Sequence, residues 1–186
     1  MSALWRNTVR FGFRLLYQEF AFTYDAVSWT VSMGAWRCWV ASALKFLPPG
    51  EPVLELAHGP GHLQAALAEQ GSRAFGIDQS VQMGRQARRR LLKRGRAARL
   101  ARARAQALPF ADETFAAIVS TFPTEFIVQP ATLAEVRRVL QPGAPLIIVP
   151  AASFNRGGAA KAALEWAYQV TGQRSGRQTV EAGIAL

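Results

Sequence analysis

The chain has 186 residues, carries 22 lysines and arginines against 12 aspartates and glutamates, and is half hydrophobic. That length suits one domain with room for a helical extension, and that apolar content excludes global disorder. A single cysteine, Cys38, excludes an internal disulfide, and no apolar run reaches the length needed to span a bilayer. No signal-peptide pattern opens the chain, so a cytoplasmic location is expected.

Residues 3–20 combine apolar and basic character. Arg6, Arg10 and Arg14 recur every four residues and share one helical face, while Leu4, Trp5, Val9, Phe13, Leu16, Tyr17 and Phe20 supply apolar area elsewhere. Two readings stay open for this helix: peripheral contact with a membrane interface, arginines toward the headgroups, or a lid packed over its own domain. A second helical region over 22–47 ends at Pro48-Pro49-Gly50. The expected division is a helical extension over 1–47 and a ligand-binding domain over 48–186.

Residues 52–61, P-V-L-E-L-A-H-G-P-G, read as a buried strand closed by a glycine turn. Gly59 and Gly61 let the main chain bend where a side chain would collide with a ligand. Helix formers follow over 62–70, so the unit is strand, turn, helix, with free backbone N–H groups and a helix N-terminus expected above the turn. Further strands are predicted near 73–78, 99–103, 116–121 and 145–150, alternating with helices near 80–94 and 130–140. Such alternation implies an α/β fold with a right-handed, doubly wound, mostly parallel sheet and helices on both faces. Its ligand is then expected at the carboxyl ends of the strands, beside the switch in strand order.

The turn discriminates between nucleoside cofactors. In the dinucleotide fingerprint G-x-G-x-x-G the third glycine permits close helix–strand packing, and Gln64 stands in its place here, which disfavours nicotinamide and flavin. His58 and His62 flank the turn without further Cys, His or Asp partners, so no metal site is expected. The run 85–104 is dense in arginine but lacks aromatic residues, so a solvated helix is preferred over a nucleic-acid surface.

Four stretches together resemble class I S-adenosylmethionine-dependent methyltransferases of the small-molecule (type 11) kind. Glu55-Leu56-Ala57-His58-Gly59-Pro60-Gly61 is similar to the family's E/D-x-G-x-G-x-G turn, with Ala57 in place of the first glycine. Phe75-Gly76-Ile77-Asp78 resembles its second, acid-ended strand. Residues 107–115 resemble A-x-x-L-P-F-x-D-x-S-F, and residues 133–143 resemble L-x-E-x-x-R-V-L-x-P-G-G. Tyr24-Asp25 with Ser32-Met33-Gly34 and Trp39 further resembles the opening of the quinone-biosynthesis C-methyltransferases, which act on lipophilic rings.

The resemblance implies S-adenosylmethionine as cofactor and gives each position a role. Glu55 and the backbone of Ala57, His58, Gly59 and Gly61 would hold its amino-acid end. Asp78 would take the ribose hydroxyls, with Gln79 and Met83 beside the adenine. Gln106, Ala107 and Leu108 would reach the adenine edge, Thr121 and Phe122 would close the floor beside the methyl group, and Tyr24 would contact the cofactor from the extension. No catalytic residue is named by the sequence; Glu125 and His58 are the candidates for an assisting base. The implied activity is methyl transfer to a small, apolar acceptor at O, C or N. The alternatives are a non-catalytic cofactor-binding or regulatory module and an RNA-binding methyltransferase. After residue 150 the family's two final strands are expected to be missing. Either a second chain covers the exposed sheet edge at 145–150, as a homodimer, or the chain is a shortened relative with impaired activity.

Overall fold

The computed structural model describes residues 35–150. Five strands, β1 (Pro52–Leu56), β2 (Arg73–Asp78), β3 (Arg99–Arg102), β4 (Ala117–Thr121) and β5 (Leu146–Val149), form one sheet in the order β3-β2-β1-β4-β5. Every pairing is parallel, with Glu55 opposite Gly76 on one side and Val119 on the other. The helices are α1 (Trp36–Ala41), α2 (His62–Glu69), α3 (Val81–Leu92) and α4 (Pro130–Val139), with short 3-10 turns at Ser42–Phe46 and Glu125–Val128. The expected doubly wound architecture is present. After β3 the chain returns to the far side of β1, so the strand order reverses between β1 and β4.

All five residues of β1 are buried because helices cover both faces of a parallel sheet. Val53 faces one layer with Leu63, Leu67, Ala43 and Leu47, whereas Leu54 and Leu56 face the other with Phe115, Val136 and Val139. Each fully buried aliphatic side chain contributes roughly 1.5–3 kcal/mol relative to exposure. Glu55 falls on Val53's face by alternation, and it is buried too. Phe75, Phe110 and Phe115 meet edge to face with centroids 4.9–6.2 Å apart, which fastens the loop before β4 to the sheet.

Helix α3 stops two residues short of its expected end. Gly95 adopts φ +65, and the N–H groups of Gly95 and Arg96 turn back to the carbonyls of Leu92 and Leu91. This is a Schellman closure, which a glycine makes and a continuing helix cannot. Among the described residues β5 forms one edge of the sheet. The helix expected at 3–20, Tyr24, the missing final strands and any covering of that edge concern residues outside the described ones.

Candidate cofactor site

The turn after β1 places Ala57, Gly59 and Gly61 in the left-handed region, at φ +56, +52 and +80. The two glycines serve different ends. A β-carbon on Gly61 would lie 2.6 Å from Ala87 Cβ and 2.9 Å from its Cα, so this glycine lets α2 and α3 pack closely. A β-carbon on Gly59 would meet nothing within 4 Å, so its bareness faces open space. Ala57 holds a conformation that costs a non-glycine residue about 1–2 kcal/mol, and it is exposed.

The turn's own amides are spent inside the protein. His58 N–H donates to Ile77 O at 3.1 Å, Gly59 N–H to Asp78 Oδ2 at 2.9 Å, and Gly61 N–H to His58 O at 3.0 Å. The expected free N–H groups are therefore absent at these three positions. What the turn offers is bare backbone, together with an α2 N-terminus whose cap position is Gly61 and has no side-chain cap.

Asp78 ends β2 beside this turn. Its second oxygen accepts Ser80 N–H at 2.8 Å, and Ser80 Oγ in turn caps α3 by accepting Met83 N–H at 3.2 Å. Two contacts leave a carboxylate acceptor capacity for a hydroxylated ligand. Arg90 reaches back from α3 to the Pro60 carbonyl and ties the helix to the turn.

Beneath the turn lies a buried polar cluster that the sequence reading missed. Gln64 folds down between the strands, its Nε2 donating to Glu55 Oε2 at 2.9 Å and to Phe75 O at 2.9 Å. Gly76 makes this possible, since a β-carbon there would stand 2.9 Å from the His58 ring and 3.0 Å from Gln64 Nε2. Thus the glycine lost at position 64 is compensated by one on the neighbouring strand. Glu55 is 2% exposed, and burial pushes its carboxyl up to about 8. Burial likewise lowers His58, whose Nδ1 lies 2.7 Å from Gly59 O and donates to it when neutral. In this structure Glu55 bears on the turn through Gln64, not at its surface.

Besides the aromatic trio, the loop between β3 and β4 is held by the side-chain pair Glu135 and Arg138. Glu135 Oε2 accepts Leu108 N–H at 2.6 Å, while Arg138 donates to both Glu135 oxygens, to Asp112 and to the carbonyls of Leu108 and Phe110. Hydrogen bonding from Arg138 takes Glu135 down to about 2. The L-x-E-x-x-R spacing was the available signal, because residues three apart share a helical face.

The structure gathers Ala57, His58, Gly59, Gly61, Asp78 and Gln79 at the carboxyl ends of β1 and β2. Gln79 is exposed, and its carbonyl accepts from Arg102 Nε at 3.0 Å. Met83 is fully buried in the core under α3. Gln106 bonds the Gln129 side chain at 2.7 Å, Ala107 closes a tight turn back to Arg104, and Leu108 is buried. Thr121 ends β4, and Phe122 follows in the left-handed region at φ +51. Thr124 makes no capping bond to the following turn. Tyr24 lies outside the described residues.

Among the described residues no group of three His, Cys, Asp or Glu side chains is placed to hold a metal, and no helix is long and apolar enough to cross a membrane. A groove of about 540 Å³ bounded by Leu47, Pro48, Ala116, Gln141 and Pro145 opens at the amino ends of the strands, opposite the glycine turn. No residue assigned to the cofactor lines it.

Comparison with known proteins agrees with this geometry. Residues 53–143 match a methyltransferase domain family. The chain is 34% identical over 136 residues to a demethylmenaquinone methyltransferase of Clavibacter sepedonicus, covering 72% of this chain and 55% of that protein. It is 31% identical over 141 residues to a ubiquinone/menaquinone biosynthesis C-methyltransferase of Paracoccus denitrificans, covering 72% and 56%. The chain thus spans little more than half the length of these relatives. A solved S-adenosylmethionine-dependent methyltransferase of Aquifex aeolicus shares the fold, with a TM-score of 0.54, 22% identity, and 71% and 76% of the two chains covered. Residues 53–143 are thus similar to class I S-adenosylmethionine-dependent methyltransferase domains, and among the named relatives the likeness is to the quinone C-methyltransferases. S-adenosylmethionine is the cofactor of that family.

Proposed function

We propose that this protein transfers a methyl group from S-adenosylmethionine to a small apolar acceptor, with a quinone-type ring as the leading class. The acceptor class comes from the names of the two relatives and from the lipophilic substrates that the Tyr24-Asp25 segment suggests. The observation that carries the reading is Gly59, bare, left-handed and facing open space beside an acid. A nucleoside cofactor fits this cradle, which a β-carbon would partly fill.

Bound there, S-adenosylmethionine supplies a methyl carbon already activated by its positive sulfur. The protein's part is then binding, alignment and exclusion of water. Asp78 offers its remaining acceptor sites to the ribose hydroxyls. Ala57, His58, Gly59 and Gly61 shape the backbone against the amino-acid end, whose carboxylate is stabilised by the uncapped start of α2. Gln79 and residues 106–108 border the base, and Thr121 and Phe122 the methyl group, while Met83, fully buried, backs α3 from the core. Tyr24, in the extension of residues 1–47 and outside the described residues, is given a cofactor contact by the family resemblance alone. Glu55 supports the turn from below. His58, buried and bonded to Gly59, is poorly placed to take a proton from an acceptor. A cytoplasmic location suits the exposed free thiol of Cys38.

Calorimetric titration with S-adenosylmethionine and with S-adenosylhomocysteine tests the cofactor, and mass gain of one methyl on demethylated naphthoquinone or benzoquinone acceptors tests the reaction. Ala57 at a glycine position supports a second reading, a cofactor-binding module without turnover. Saturable binding with no methyl transfer to any acceptor would select that reading.

A further inference from the structure

Residues 79–111 hold ten of the chain's 22 cationic side chains and none of its 12 acidic ones, so the entire formal charge of +10 resides there and the remainder is balanced. Six of these ten lie on α3 and the adjoining edge strand β3 and the other four in the segments just after them, with Arg99 lying 5.7 Å over the Phe75 ring. Helix α3 buries Met83, Ala87 and Leu91 against the sheet and turns Val81, Arg85, Arg88, Arg89 and Leu92 outward. Val81, Arg85, Arg88 and Leu92 follow at helical spacing, so two apolar side chains bracket the arginines along one ridge. Val81 is 37% and Leu92 55% exposed.

Arg94 pairs with Glu69 at 3.2 Å, and Arg102 binds the Gln79 carbonyl. Arg85, Arg88 and Arg89 form no ion pair among the described residues. Like charges at i,i+3 and i,i+4 destabilise a helix, and no acid on α3 offsets them. Solubility alone is served by interspersed charges of both signs and does not require this arrangement.

We propose that the outer face of α3, with the neighbouring edge of β3, docks on an anionic lipid bilayer. Arg85, Arg88 and Arg89 take the headgroup phosphates, and Val81 and Leu92 enter the acyl boundary. A nucleic acid is the less fitting polyanion, because residues 79–109 contain no aromatic side chain to stack on bases and the ridge places aliphatic groups among its cations. Since α3 starts at the carboxyl end of β2, next to Asp78, docking brings the cofactor turn toward the lipid surface. An apolar acceptor is then drawn directly from the bilayer. Only this last step rests on the methyl-transfer reading.

The test is flotation of the full chain, without cofactor, with vesicles of about three parts phosphatidylcholine to one part phosphatidylglycerol. The chain should float with these vesicles, should not float with pure phosphatidylcholine, and should be released as salt rises. The triple variant R85Q/R88Q/R89Q should partition at least about tenfold more weakly, since each surface cation adds to binding. Leu92→Ser, which leaves the charge unchanged, should weaken partition severalfold. Binding of S-adenosylhomocysteine should be the same in wild type and both variants, which checks that they fold. Partition of either variant equal to wild type overturns the proposal. So does equal binding to neutral vesicles, or retention by an RNA oligonucleotide with no binding to anionic vesicles. Because flotation is read without cofactor, its failure is separable from a failure of methyl transfer.

Discussion

The carboxylate of Asp78 accepts the N–H of Gly59 at 2.9 Å across the gap between β2 and the turn after β1. The acid and the turn are therefore one hydrogen-bonded unit. A ligand that grips Asp78 also stiffens the backbone on which its other end rests, which couples the two halves of the site.

The two glycines of the turn should respond differently to alanine. Gly61→Ala drives a methyl into Ala87 and should cost about 1–3 kcal/mol of stability by overpacking, on top of the roughly 1–2 kcal/mol of its own left-handed φ. Ala87→Gly in the same chain should recover part of that loss, since Ala87 Cα remains close. Gly59→Ala meets no protein atom and should cost only about 1–2 kcal/mol, from its left-handed φ, yet should weaken the cofactor more than Gly61→Ala does at equal folded fraction. Urea unfolding and cofactor titration of the three variants check both statements.

Ala57 stands at φ +56 where glycine is unstrained. Ala57→Gly should leave stability unchanged or raise it by up to about 1 kcal/mol, against the usual loss on introducing glycine. Thermal unfolding decides it, and a clear drop in melting temperature would mean the methyl is packed.

Glu55 makes stability depend on pH in an unusual direction. Its carboxyl holds a proton up to about pH 8 in the folded chain, against an ordinary 4.5. Its contribution is thus complete below pH 4.5 and lost as pH rises through 8. His58, lowered by burial, opposes this by losing stability as pH falls below its ordinary 6.5. Glu55→Gln keeps the shape and the bond to Gln64 without a titrating proton. Unfolding free energy between pH 5 and pH 8 should fall for wild type relative to this variant, and parallel curves would show that Glu55 titrates normally.

Glu135 accepts the amide of Leu108 at 2.6 Å and is itself held by Arg138. Glu135→Ala should release residues 106–112 while leaving the sheet intact. Hydrogen exchange at the Leu108 amide should quicken at least about tenfold, the loss expected of one charge-assisted bond, with amides of β1 unchanged. Equal exchange at Leu108 would show that the aromatic trio alone holds the loop.

The sheet was legible because β1, β2, β4 and β5 are short, mainly apolar runs, and parallel strands covered on both faces need no alternation. Strand β3, half arginine, was placed by its position in the alternation of strands and helices. Val53, Leu54 and Leu56 read directly, and the glycine turn followed from local backbone demands. Glu55 and Gln64 did not read, since their partnership depends on α2 lying over β1 and on Gly76 of β2 leaving room. The turn's amides were likewise expected to be free, and only the placement of Ile77 O and the Asp78 carboxylate shows where they go. Local chemistry was visible in the sequence; contacts between elements distant along the chain were not.

The most direct test of the account is titration of S-adenosylhomocysteine into wild type and Asp78→Ala under identical conditions. Saturable one-to-one binding in wild type, weakened by about 1–3 kcal/mol in the variant, is the predicted result. Absence of binding in wild type, or equal affinity in the two proteins, would contradict it.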